Sequence, residues 1–151
     1  MPSGLVASGA MRWAACLLIV CCISVGCRRG PLPQFPVRGT VRINGTPLRG
    51  GTVVFAPDPR RGGRGPVSSG MLDADGRFEL SNDLGPGAVR GWHRVTIAPP
   101  PDSEDLIFAL ERYRHPDLSG LTFEVRADTE NFAEFQLILE NVLWSDRPAR
   151  P

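Results

Sequence analysis

The stretch Val37-Arg-Gly-Thr-Val-Arg-Ile43, followed by Asn44-Gly45, decides the fold class. Val37, Gly39, Val41 and Ile43 fall on one side and Arg38, Thr40 and Arg42 on the other, the period of two that marks a half-buried strand. Asn44-Gly45 supplies the positive φ values of a tight turn. Pro47-Leu48 and Gly50-Gly51 then lead into Thr52-Val-Val-Phe-Ala56, a second strand.

Downstream, an apolar stretch from Ser69 to Asp73 is joined through Ala74-Asp75-Gly76 to Arg77-Phe-Glu-Leu80, whose Phe78 and Leu80 alternate inward; the pair reads as a second hairpin. Gly91 to Ile97 sets His93, Val95 and Ile97 against Trp92, Arg94 and Thr96, and stops at Pro99-Pro100-Pro101. Leu121, Phe123 and Val125 alternate with Thr122, Glu124 and Arg126; Ala133, Phe135, Leu137 and Leu139 alternate with Glu134, Gln136 and Ile138. About seven short strands with frequent turn signals predict an all-β sandwich. One segment breaks the pattern: Leu106, Ile107, Leu110 and Tyr113 follow helical spacing behind the candidate caps Asp102 and Ser103, which predicts one short helix near residues 103–113 over an end of the sandwich.

Composition narrows the function classes. Seventeen basic against sixteen acidic residues leave a formal charge of +1, so no global field draws the protein to nucleic acid, and no nucleic-acid partner is expected. All seventeen basic residues are arginine, which excludes Schiff-base chemistry and phosphate loops built around lysine.

All four cysteines, Cys16, Cys21, Cys22 and Cys27, lie near the start. A disulfide framework, structural zinc site or cysteine nucleophile in the body is thereby ruled out. Arg12 precedes the apolar run from Trp13 to Ile23, and Ser24, Val25 and Gly26 lead into Cys27, the plan of a secretion signal. The uncharged stretch between Arg12 and Arg28 is fifteen residues long, against the roughly 20 that a spanning helix needs. Ser24-Val25-Gly26-Cys27 resembles the lipobox of bacterial lipoproteins, in which cleavage before the cysteine follows its thioether linkage to diacylglycerol. Gly26 and Cys27 fit that pattern, whereas Ser24 stands where the family usually has leucine. The resemblance implies signal cleavage between Gly26 and Cys27 and lipid attachment at Cys27. More than one acyl chain, at about 0.8 kcal/mol per buried CH₂, makes a stable membrane anchor where a single chain is marginal.

The expected organisation is a signal peptide over 1–26, a tether over 27–35, a sandwich domain over 36–140 and a tail over 141–151 anchored only by Trp144. The run from Val37 to Phe55, then Asp73-Ala-Asp-Gly-Arg-Phe78, then Gly91-Trp-His-Arg-Val-Thr-Ile97, resembles the carboxypeptidase-regulatory-like domain of small planctomycete lipoproteins. Tyr113 to Thr122 and Asn131 to Leu137 are similar to the end of those proteins, so the resemblance covers about residues 27 to 139. It implies a transthyretin-like (prealbumin-like) Greek-key β-sandwich, and it implies no catalysis.

Asp73-Ala-Asp75-Gly76 superficially suggests a calcium loop, but with Gly76 in sixth place the first and twelfth positions are Met71 and Asn82, which cannot supply the carboxylates an EF-hand needs. A type I turn accounts for the same residues. His93 and His115 are the only histidines; neither has a carboxylate or second histidine beside it at metal-ligand spacing, His93 reads as a core-edge residue and His115 as a loop residue. No Gly-x-Ser-x-Gly elbow is present. Arg60, Arg61 and Arg64 form the one local cationic cluster, a solvated mobile loop or a candidate contact for anionic cell-wall polymer or lipid headgroups. Trp92, Tyr113 and Trp144 are candidates for stacking on sugar rings, or pack in the core.

The expectation is a non-enzymatic protein of the cell envelope, lipid-anchored on the periplasmic or extracellular side, with structural or adhesive work and no cofactor or metal. Its partners are the membrane, through the lipid, and an envelope protein or cell-wall glycan. Two alternatives are a periplasmic binding module for a small ligand or glycan, and an accessory subunit that pairs through an exposed edge strand.

Overall fold

The computed structural model describes residue 30 and residues 32–139, and over that range the alternation of the sequence is the alternation of burial. The strands are β1 (Gln34–Phe35), β2 (Val37–Ile43), β3 (Thr46–Pro47), β4 (Thr52–Pro57), β5 (Ser68–Met71), β6 (Arg77–Glu79), β7 (Ser81–Asn82), β8 (Gly85–Pro86), β9 (Ala88–Val89), β10 (Gly91–Ala98), β11 (Leu121–Val125) and β12 (Asn131–Leu137). Two short helices, α1 (Glu104–Ala109) and α2 (Glu111–Arg114), lie between β10 and β11. Twelve strands replace the expected seven or so because five are two-residue bridges, too short to leave a periodic signal. The protein is an all-β sandwich.

One sheet runs β11-β10-β4-β5-β7-β8; the other runs β12-β2-β3, with β6 also paired to β2, and β1 pairs with β9 in a small ribbon. Asn44 and Gly45 adopt φ of 48° and 85° and close the β2–β3 turn as the sequence requires. The second expected hairpin is corrected. Gly76 N–H donates to the Asp73 carbonyl at 3.1 Å, so the turn is present, yet β5 pairs with β4 and β7 while β6 pairs with β2. The chain changes sheets there, which a local turn signal cannot reveal. The final strand, β12, returns beside β2 and runs parallel to it, from Asn131 opposite Val37 to Leu137 opposite Ile43. Gly39 makes that return possible, since a Cβ there would strike the carbonyl of Ala133.

The core lies between the two sheets around Phe55, which is fully buried. Its ring sits 6.2 Å from Phe78, 6.1 Å from Phe135 and 5.7 Å from Phe123, so one side chain joins both sheets. The helical segment divides at Leu110, which is buried, and Tyr113 beside it is buried too. Ser103 occupies the cap position without a side-chain bond to the helix, so this apolar packing, not the cap, holds the segment.

Candidate functional site

Gly26, Cys27 and Trp144 lie outside the described residues. Of the remaining candidates, the arginine cluster is built on a sharp turn. Asp58 precedes Pro59, and its Oδ1 accepts from the Arg60 N–H at 3.0 Å, capping a single 3₁₀ turn over Pro59–Arg61. Gly63 N–H donates to the Asp58 carbonyl at 2.8 Å and folds the loop back on itself. Asp58 is buried, with Arg61 Nε at 3.7 Å and Arg94 Nε at 4.0 Å from its carboxylate.

Asp117 completes the corner, accepting from Arg94 at 2.8 Å with Arg60 at 3.6 Å. The Arg61 guanidinium lies 4.2 Å from the centre of the Trp92 ring. The loop is therefore built on a defined turn, and Arg60, Arg61 and Arg64 on it are exposed. Arg60 and Arg61 are matched by carboxylates and Trp92 is covered by a cation, while Arg64 has no ion pair among the described residues. Asp58, Arg94 and Asp117 were missed as a set; only Asp58-Pro59, a cap followed by proline, was visible as a local signal.

His93 is buried against Phe55, with ring centres 5.9 Å apart. Its Nδ1 meets the Gly91 carbonyl at 2.9 Å, which assigns the proton to Nδ1 and leaves Nε2 as a buried acceptor without a partner. Burial lowers its pKa, and the bond to Gly91 opposes that only in part. His115 is a loop residue as expected, but the reading that no carboxylate lies beside it is corrected. It follows α2 directly, and its Nε2 lies 2.9 Å from Oε1 of Glu111, a carboxylate four residues back on the helix. Bonds from His115 and then Arg114 hold the Glu111 carboxyl below its ordinary value. The pair is exposed, and among the described residues no three His, Cys, Asp or Glu side chains converge to hold a metal.

Two open depressions mark the outer face of the β2 sheet. One, of about 560 Å³, is lined by Arg38, Thr40, Met71, Arg77, Glu130 and Phe132. The other, of about 330 Å³, lies between Pro36, Arg38, Glu79, Pro86 and Asn131. Arg38 donates to Glu130 through Nε at 3.1 Å, so charge along this face is largely paired. Their walls are more apolar than polar, but both are open to solvent, unlike the enclosed sites that hold small ligands.

The edge of the same sheet is different. Leu137 accepts from Asn44 N–H at 3.0 Å and Leu139 N–H donates to Asn44 Oδ1 at 3.2 Å, so odd-numbered residues of this strand turn their backbone groups toward β2. The even-numbered ones face away. At Ile138 the Tyr113 hydroxyl meets that outward edge, accepting from the N–H at 3.3 Å and donating to the carbonyl at 3.4 Å. Phe132, Glu134 and Gln136 have no backbone partner on that side among the described residues. Tyr113 is thus a buried strand stop, not a sugar platform. None of the described helices is long and apolar enough to cross a membrane. No protein-family model, no curated protein and no solved structure matches this chain.

Proposed function

We propose that the chain is a non-enzymatic, lipid-anchored protein of the cell envelope, attached through Cys27 after cleavage behind Gly26, with the sandwich as an interaction module. The observation that carries this reading is the use to which buried polarity is put. Asp58 caps a turn, and Ser68 accepts from Asn82 at 2.8 Å. Ser119 donates to the Val95 carbonyl at 2.7 Å, and Asn131 ties the Arg126 backbone to Pro36. His93 bonds its own strand and lies against a phenylalanine. These buried groups hold the fold, and the one unpartnered histidine nitrogen, Nε2 of His93, is closed off inside it, so the surface that is left suits contact rather than turnover.

Anchorage rests on the resemblance of Ser24-Val25-Gly26-Cys27 to a lipobox and on the brevity of the uncharged segment before it. From Cys27 to Gln34, where β1 begins, is seven residues, a reach of about 25 Å fully extended. The strand is fixed to the body by Gln34, whose side-chain carbonyl accepts from Asn82 at 2.8 Å. A lipid on Cys27 therefore keeps the body near the bilayer.

The test is the intact mass and fractionation of the full chain and of Cys27→Ser expressed in a bacterium. The expected wild-type product sediments with membranes, begins at Cys27 and carries the mass of a diacylglycerol. Cys27→Ser is expected to lack both the lipid and the cleavage. A variant still clipped after Gly26 and partitioning into detergent as before would overturn the proposal.

A further inference from the structure

The outward edge of β12 carries six backbone groups in a row with no partner among the described residues, the N–H and carbonyl of Phe132, Glu134 and Gln136, and Tyr113 ends the row at Ile138. The strand has no proline, glycine or bulge to blunt it. Phe132 beside this edge is 48 % exposed, and the Glu134 carboxylate is exposed with no cation paired to it among the described residues. Backbone donors and acceptors in register, an apolar side chain and an unmatched charge are what an added strand reads.

We propose that β12 is a docking edge for an extended segment of a partner protein, added antiparallel, with a basic side chain opposite Glu134 and an apolar one opposite Phe132. Cross-strand register argues against a second copy of this chain as the occupant. Self-pairing centred on Glu134 sets two like charges directly opposite each other. Shifting the centre to Phe135 puts Phe132 opposite Ile138, whose backbone groups the Tyr113 hydroxyl already holds. Shifting it to Ala133 brings Gln136 against Glu130, which lies before the strand and is bound to Arg38. A foreign strand with arginine or lysine at the central position meets none of these obstacles. Read from its own N-terminus, such a segment presents a polar residue to Gln136, a basic one to Glu134 and an apolar one to Phe132, each separated by one residue.

This inference rests on the reading of the sandwich as an interaction module; the Cys27→Ser fractionation reports on anchorage alone, so the two can fail separately. The probe is the acetylated, amidated peptide Ser-Thr-Gln-Thr-Arg-Thr-Leu-Ser, titrated against the full chain in detergent micelles and followed by residue-resolved amide exchange and fluorescence anisotropy. At saturation, exchange at Phe132, Glu134 and Gln136 is expected to slow at least tenfold, with little change at Ala133, Phe135 and Leu137. Replacing the peptide arginine by glutamate is expected to weaken binding about fivefold. Glu134→Arg, an exposed change that leaves the fold intact, is expected to reverse that preference. Unchanged exchange at millimolar peptide overturns the proposal. So does equal binding of the two peptides, or edge amides already protected in a dimer without peptide.

Discussion

The Asp58 corner and the β12 edge are both polar and both at the surface, and they differ in what the fold does with their bonding capacity. At the corner, Asp58 and Asp117 meet Arg60, Arg61 and Arg94, and the cap and loop bonds close on the same turn. At the edge, three consecutive outward pairs of backbone groups and a carboxylate have no partner among the described residues until Tyr113 stops the row. Groups matched internally hold shape and have little left to offer a ligand. Groups left open and held straight by a buried inner face are ready to bind, because Ala133, Phe135 and Leu137 fix the strand without using its outer side.

The largest effect expected is common to both regions. Phe55→Ala removes the ring that joins the sheets and should cost about 3–5 kcal/mol in urea unfolding; a loss below about 1 kcal/mol would mean the sheets are held otherwise. At the corner, Asp58→Ala removes a cap and leaves Arg94 Nε buried without its carboxylate, an expected loss of about 1–3 kcal/mol. At the edge, Tyr113→Phe frees the backbone of Ile138 for an expected loss of about 0.5–1.5 kcal/mol, with faster amide exchange at that residue.

His93 adds a pH dependence beneath the corner. Burial lowers its pKa in the folded chain, so the unfolded chain binds the proton more readily. The contribution is fully present above the ordinary histidine value of about 6.5 and declines as the pH falls below it. Urea midpoints from pH 8 to pH 5 should show that decline, and His93→Leu should remove its share; an unchanged slope would contradict the assignment. Glu134→Arg has the smallest effect, within about 0.5 kcal/mol on stability, because the side chain is exposed and has no ion pair among the described residues.

Much of the fold was legible in the residues themselves. The alternation of Val37 to Ile43 and of His93, Val95 and Ile97 became burial, Asn44-Gly45 became a turn, and Leu110 and Tyr113 became the packed side of a helical segment. Periodicity tells which side of a strand is inward and says nothing of which strand lies beside it. That is why the sheet change at Asp73 to Gly76 and the parallel return of β12 were not foreseen. The candidate sites were less legible for the same reason. Asp58, Arg94 and Asp117 are brought together across three loops and strands, and the Tyr113 stop joins residues 25 apart in the chain. His115 is the loop residue the sequence suggests; its contact with Glu111 was missed because it reaches back from just past the end of the helix.

The difference between corner and edge is tested most directly by amide exchange along β12 in the full chain alone. The account predicts alternation: Phe132, Glu134 and Gln136 exchange at least tenfold faster than Ala133, Phe135 and Leu137, whose N–H groups face β2. Uniform protection along all seven residues would show the edge already covered and would contradict it.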